Sequence, residues 1–272
     1  MNLPDLNIIN KMSQKINPEQ AHYGEKQVND ILKYPQPSIN FSPQIPPLKK
    51  IKDKTKIDIR YCLIAPYAYV HIYWDSKEYE LVYEIEEPEL TEEEKQFKDQ
   101  LIDALKSMIN FDAVIEKDLD AILDYIHQRS KILAFELKMN LPYEMYDKIY
   151  YYLCRDFVGM NEVEPILRDF FVEDIECNGI DTPIYIVHRY YRNIKTNIKL
   201  ENLAQAESFT EKLAQRCGKH ISYSQPILDG SLPDGSRVNA TYTKDITSRG
   251  PTFTIRKFTQ TPWTPPQLLS FK

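Results

Sequence analysis

Residues 221–258 read ISYSQPILDGSLPDGSRVNATYTKDITSRGPTFTIRKF. Val238, Ala240 and Tyr242 alternate with polar neighbours, the pattern of a half-buried strand. Residues 221–227, 237–243 and 252–258 are therefore expected as strands. Gly230 and Gly235 have the glycine spacing of a phosphate loop, G-x-x-x-x-G-K-[ST], but Ser236 and Arg237 follow them instead of lysine and serine or threonine. A phosphate loop opens a helix, whose first N–H groups hold the phosphates. Here Pro233 and Asp234 make a turn and strand alternation follows, so the segment reads as a polar turn between two strands. Three arginines, Arg237, Arg249 and Arg256, are left over from that reading.

Upstream, residues 171–177 form a strand ending at the turn dipeptide Asn178-Gly179. Residues 183–189 form another, residues 190–193 turn, and residues 194–199 pair back. Leu203, Ala206, Phe209, Leu213 and Cys217 share one helix face, with Gly218 as the C′ stop. The order β-β-β-α-β-β-β gives an α+β module, a mostly antiparallel sheet with one covering helix. Within it, Glu173, Asp174 and Glu176 cluster in one strand, where alternation separates Glu173 from the other two. No base, metal ligand or nucleophile accompanies them, so they read as a rim feature.

Further upstream, residues 57–88 carry alternating runs at Ile57, Ile59, Tyr61 and Leu63, at Tyr69, His71 and Tyr73, and, beyond the polar turn at 75–77, at Tyr79, Leu81, Tyr83 and Ile85. An N-terminal antiparallel hairpin is expected there. Thr91 and Glu94 form a capping box, T-x-x-E, at a helix start. Helical spacing then recurs at Phe97, Leu101, Leu105, Met108 and Ile109, at Leu119, Ile122, Leu123 and Ile126, and from Pro142 through Tyr146, Ile149, Tyr150, Leu153 and Phe157. Three amphipathic helices in succession predict a small three-helix bundle. Residues 1–56, rich in proline and lysine, read as a disordered tail. The expected organisation is this tail, a hairpin and helical-bundle subdomain over 57–158, an α+β sheet domain over 159–260, and a Pro-rich interdomain linker over 261–272.

Composition narrows the function. The 272 residues are 42% hydrophobic with a formal net charge of −6, so bulk attraction to nucleic acid is not expected. The 7 glycines include no G-x-G-x-x-G. The 4 cysteines, Cys62, Cys154, Cys177 and Cys217, are widely spaced, which argues against both a zinc site and a disulfide framework and points to the cytoplasm. No apolar run long enough to span a membrane and no apolar signal-peptide region open the chain. Residues 237–272 nevertheless carry Arg237, Lys244, Arg249, Arg256, Lys257 and Lys272 against Asp245 alone, a net of +5. Planar five-donor guanidinium groups suit bidentate phosphate contact, whereas a merely solvated basic edge discourages sheet aggregation. Composition alone leaves both readings open.

The blocks FVEDIECNG (171–179), TPIYIVHR (182–189), TNI (196–198), LPDGSRVN (232–239) and SRGPTFTIRKF (248–258) resemble the N-terminal half of the archaeal type II/IV secretion ATPases, which drive archaellum rotation and type IV pilus assembly. The hairpin of residues 61–88 is similar to the opening region of that family. The resemblance covers roughly residues 57–272. It implies a RecA-like motor domain with Walker A, Asp box, Walker B and His box motifs, none of which is present in these residues. The chain is therefore expected to be an N-terminal region, inactive alone, with ATP and Mg²⁺ bound in the full-length parent and neither held tightly by this part. The implied partners are its own C-terminal motor domain, neighbouring subunits of a hexameric ring and a polytopic membrane platform protein, at the cytoplasmic face of the cell membrane. In the matching motif, Arg237, Arg249 and Arg256 are the candidates to reach the nucleotide. The alternative is a stand-alone interaction module that binds a membrane platform protein without nucleotide.

Overall fold

In the computed structural model, residues 35, 37, 39–41, 45–48, 50–108, 119–137, 139 and 141–258 are described. The chain divides into two units, Ser38–Glu89 with Arg155–Lys272, and Met1–Pro37 with Leu90–Cys154.

The first unit is built on one nine-stranded sheet in the order β1-β2-β3-β6-β5-β4-β9-β8-β7. Its strands are β1 (Asp58–Ile64), β2 (Ala68–Asp75), β3 (Glu80–Glu86), β4 (Val172–Cys177), β5 (Pro183–His188), β6 (Arg192–Lys199), β7 (Ile227–Ser231), β8 (Arg237–Thr241) and β9 (Thr252–Arg256). All neighbours are antiparallel except β3 and β6, which run parallel through Val82–Lys195 and Tyr83–Thr196. The side chain of Asn197 lengthens that short parallel contact. Its Oδ1 accepts the Ile85 N–H at 2.9 Å and its Nδ2 donates to the Ile85 carbonyl at 3.0 Å.

Three features differ from the sequence expectation. The N-terminal hairpin is a three-stranded meander, and it shares its sheet with the later strands instead of standing apart. The strand expected over 221–227 starts at Ile227 and runs through Gly230 to Ser231. Pro226 lacks an N–H, and a tight reversal in which Ser222 N and Gln225 N exchange carbonyls at 3.1 and 3.0 Å occupies the residues before it. Within the stretch expected as a tail, Asn40 donates to the Ala65 carbonyl at 3.0 Å and Phe41 is buried. Arg168 stacks over the Phe41 ring at 5.4 Å. Residues 1–34 and the linker expected over 261–272 lie outside the described residues.

Alternation decides which sheet face is covered. Val238, Ala240, Phe253, Ile255 and Ile175 are buried on one face of β8, β9 and β4. Helix α5 (Leu203–Arg216) contacts β8 and β9 and buries Ala206, Phe209, Thr210, Leu213 and Ala214. The Phe209 and Phe253 rings lie 4.9 Å apart. Asn202 caps its start by accepting the Gln205 N–H at 2.9 Å. At its end Gly218, with φ +64°, donates to the Gln215 carbonyl at 2.9 Å while Lys219 donates to that of Ala214 at 2.9 Å, a Schellman closure.

The second unit carries α1 (Glu92–Met108), α2 (Leu119–Glu136) and α3 (Tyr143–Leu153), which contact one another pairwise. Leu101 and Leu105, Ile122, Leu123 and Ile126, and Tyr146, Ile149 and Tyr150 supply buried faces, each recurring at helical spacing. The capping box forms: Thr91 N donates to Glu94 Oε2 at 2.7 Å and Glu94 N to Thr91 Oγ1 at 3.3 Å. Ile109, placed on α1 by periodicity, lies outside the described residues. In the sheet unit, α4 (Glu164–Arg168) leads into β4. Among the described residues, no helix is long and apolar enough to cross a membrane.

Candidate functional site

The face of β4, β9, β8 and β7 opposite α5 is polar. Strand register arranges it in transverse rows, because cross-strand partners point to the same side. One row reads Val187, Asp174, Arg256, Arg237, Ser231, and the next reads Tyr185, Glu176, Thr254, Asn239, Asp229. Arg237 and Arg256 are thus direct neighbours on adjacent strands, and both are exposed. Arg256 Nε donates to Asp174 Oδ1 at 3.1 Å, with the arginine side chain 74% and the aspartate side chain 20% exposed. Arg237 has no acidic partner within ion-pair distance among the described residues.

The turn at 232–236 sets this register. Leu232 N donates to the Ser236 carbonyl at 2.8 Å and Gly235 N to that of Leu232 at 2.9 Å. Gly235 adopts φ +88°, a conformation that favours glycine. Asp234 accepts the Ser236 N–H and hydroxyl, both at 2.9 Å, and Ser236 Oγ accepts the Phe258 N–H at 3.0 Å. The near miss to a phosphate loop is thus a closed hairpin turn whose N–H groups serve the fold. It also pins the chain where it leaves β9. Lys257, next to Arg256, points the other way and donates through Nζ to the Asp169 carbonyl. Burial lowers its ammonium to about 8.

Arg249 lies elsewhere. It is exposed in the loop before β9, at the end remote from Arg256. Its carbonyl accepts the Ile180 N–H at 2.8 Å. The fold therefore brings Arg237 and Arg256 together and leaves Arg249 beside the Asn178-Gly179 turn. The carboxylates divide as alternation predicts: Glu173 pairs with Arg189 at 3.2 Å, while Asp174 meets Arg256.

Two buried polar clusters escaped the sequence reading. Asp169 Oδ2 accepts the hydroxyls of Tyr61 at 2.6 Å and Tyr83 at 2.7 Å, and its Oδ1 accepts the Phe171 N–H at 2.8 Å. Burial, with Asp169 nearby, raises both phenols. No spacing in the sequence announces this meeting. On α5, Lys212 Nζ donates to the Asp156 carbonyl at 2.7 Å and to Asn161 Oδ1 at 2.5 Å, and Arg216 donates to the carbonyls of Phe157 and Val158. Burial lowers Lys212 to about 8. The one-turn spacing of these two cations was the available signal. Among the described residues, no group of three or more His, Cys, Asp or Glu could hold a metal ion, and all four cysteines are free.

An α+β module with a largely antiparallel sheet and an exposed arginine pair on its open face defines the class of protein. The chain belongs to the family of the uncharacterized protein MJ1288 of Methanocaldococcus jannaschii, to which it is 36% identical over 200 residues, 73% of this chain and 79% of that protein. It is 30% identical over 279 residues to the uncharacterized protein MJ0900 of the same organism, covering 96% of this chain and 49% of the relative. A third relative there, the uncharacterized protein MJ0781, is 36% identical over 152 residues, 55% of this chain and 20% of its own length. The chain thus spans about half of MJ0900 and a fifth of MJ0781. No family model matches. Among solved structures, the VirB11 ATPase from the Brucella suis type IV secretion system, in complex with sulphate, aligns with TM-score 0.35 and 19% identity over 40% of this chain and 32% of its own. A likeness at that level establishes neither family nor function.

Proposed function

We propose that this chain is the N-terminal, nucleotide-sensing region of a secretion-type ATPase, and that its sheet presents Arg237 and Arg256 to the phosphates of a nucleotide bound by a motor domain. One observation carries the reading: two guanidinium groups stand in cross-strand register on an exposed face, and one of them lacks an acidic partner among the described residues. Like charges directly opposite one another destabilise a sheet, so the pair is a cost to the fold that an anionic ligand would relieve. The sequence blocks shared with archaeal type II/IV secretion ATPases supply the identity of that anion. The matched stretch lies within longer proteins in two relatives, which supports a further domain. Arg249 would serve the same interface from the other end of β9.

The residues present fit the phosphate part of ATP, since each guanidinium offers a planar fork to phosphate oxygens. In this reading Mg²⁺ would be held by the nucleotide's phosphates and the motor domain. Neighbouring subunits of a hexameric ring and a membrane platform protein are the partners this reading implies, at the cytoplasmic face of the membrane. Turnover by a protein joining this chain to its motor domain tests it. Arg237→Ala or Arg256→Ala should lower kcat by about 10³-fold with little change in KM, as for an arginine that acts on the transferring phosphoryl group. Near-normal turnover in both variants, with normal folding, would exclude the role.

A second reading has its own observation. Ile227, on the edge strand β7, and Tyr223, in the reversal just before it, are both exposed, which suits a protein partner without nucleotide.

A further inference from the structure

We propose that Asp174 is a built-in competitor for the arginine pair, an internal counter-anion that holds Arg256 until a phosphate group displaces it. The inference rests on the anion-binding reading of the same face and deepens it.

The geometry comes from register alone. Asp174 is the cross-strand partner of Arg256, which is the cross-strand partner of Arg237, so the three side chains stand in one row on one face. The row has one carboxylate for two guanidinium groups, and the carboxylate is at the end next to Arg256. Asp174 contacts Arg256 through Nε at 3.1 Å. An Nε contact engages one edge of the guanidinium and leaves the terminal nitrogens as donors. Arg237 stands on the far side of Arg256 from Asp174, so an anion bridging the two arginines engages the free terminal nitrogens first and, by drawing the Arg256 guanidinium towards Arg237, pulls it off the carboxylate. The next row places Glu176 two residues along β4 and Asp229 on β7, with Thr254 and Asn239 between them. These carboxylates flank the pair without contacting it, and they disfavour a highly charged anion anywhere on the face except over the two arginines.

The consequence is selectivity by charge. A monoanion gains little by exchanging with a carboxylate already in place. An oligophosphate, with several charges and several acceptor oxygens, spans both guanidinium groups and displaces Asp174. The aspartate thereby sets a threshold that favours a polyphosphate chain over a lone monoanion such as chloride.

The test is a titration of the ¹⁵N-labelled chain with inorganic triphosphate, which isolates the phosphate part of a nucleotide, read on the Nε–Hε signals of Arg237 and Arg256. Triphosphate is expected to shift both signals in the native chain. Asp174→Asn should bind it up to about fivefold more tightly, the most that an exposed ion pair of this kind is worth. Arg237→Ala should lose the response at Arg256. Asp174→Ser removes the same charge and replaces the asparagine variant if that variant does not give a folded spectrum. Unchanged or weaker affinity in the aspartate variants, with both arginines still responding, would overturn the inference and leave the anion site standing. Silence at both arginines in the native chain and in the aspartate variants would overturn the anion site and the inference together.

Discussion

Gly179 lies directly beneath Arg249: a Cβ added to the glycine would come within 2.5 Å of Arg249 Cβ and 2.7 Å of its carbonyl oxygen. The glycine also holds φ +117°, where side chains are strained. The turn closing β4 and the loop opening β9 can approach only because residue 179 has no side chain. Gly179→Ala is expected to destabilise the sheet unit by about 2 kcal/mol or more, since backbone strain and a main-chain clash add. It should also shift the backbone amides of Arg249 and Ile180. Urea unfolding together with an amide spectrum checks both, and an alanine variant as stable as the native chain would refute the close approach.

Gly218 provides the contrast. It too has a positive φ, +64°, but a Cβ there would meet nothing within 4 Å. Gly218→Ala should therefore cost backbone strain alone, about 1 kcal/mol. Gly218→Asn should cost less, because asparagine tolerates the left-handed region better. The order Gly179→Ala worse than Gly218→Ala worse than Gly218→Asn is the measurable outcome.

The Asp169 cluster ties elements far apart in sequence, since Tyr61 and Asp169 are separated by 108 residues. Asp169→Ala would strand two buried hydroxyls and the Phe171 N–H, at an expected cost of about 3–5 kcal/mol. Tyr83→Phe removes one donor and should cost about 2 kcal/mol, as for a hydrogen bond to a charged group. The two changes share a partner, so the double variant should be less destabilised than the sum of the single ones. Strict additivity would show that the hydroxyl and the carboxylate do not depend on each other.

Local chemistry was legible in the sequence and long-range placement was not. Thr91 with Glu94 and Gly218 after Cys217 announced a helix start and a helix stop, because each motif satisfies main-chain groups within a few residues of itself. The alternation of Leu81, Tyr83 and Ile85 likewise fixed a buried face. In β2 the aromatic run Tyr69, His71 and Tyr73 is half-buried, while Ala68, Val70 and Ile72 take the core face. Size and aromaticity misdirect there, since small and β-branched residues fill the tighter side. The end of β7 was set too early because Gly230 reads as a turn residue, although its pairing with Val238 holds it in the ladder. The Asp169 cluster left no pattern, because its members meet only after β3 pairs with β6 and the first three strands join the rest. The arginines could be named from the sequence, but their division into a pair and a remote third depends on the β8–β9 register.

His188 gives a test with a definite sign. It is buried, its Nδ1 accepts the Tyr190 N–H at 3.2 Å, and its Nε2 has no hydrogen-bond partner among the described residues. The ring lies 4.9 Å from that of Tyr191 in a stacked arrangement. Burial pushes its pKa from the ordinary 6.5 down to about 4, with Asp169 opposing the shift and Arg189 adding to it. Between these values the unfolded chain binds a proton that the folded chain does not, so stability from this group rises with pH. The contribution is complete above about pH 6.5 and is lost as the pH falls towards 4, with a slope of at most about 1.4 kcal/mol per pH unit and a total of about 3 kcal/mol. His188→Gln retains a side-chain acceptor for the Tyr190 N–H and does not titrate. The native chain should therefore lose stability relative to the variant as the pH drops from 6.5 to 4.5, when each is unfolded with urea at matched ionic strength. His127, also pushed down to about 4, is present in both proteins and cancels in the comparison. A native-minus-variant difference that stays flat across this range would show that His188 is charged in the fold or free to meet water, and the buried neutral ring would have to be abandoned.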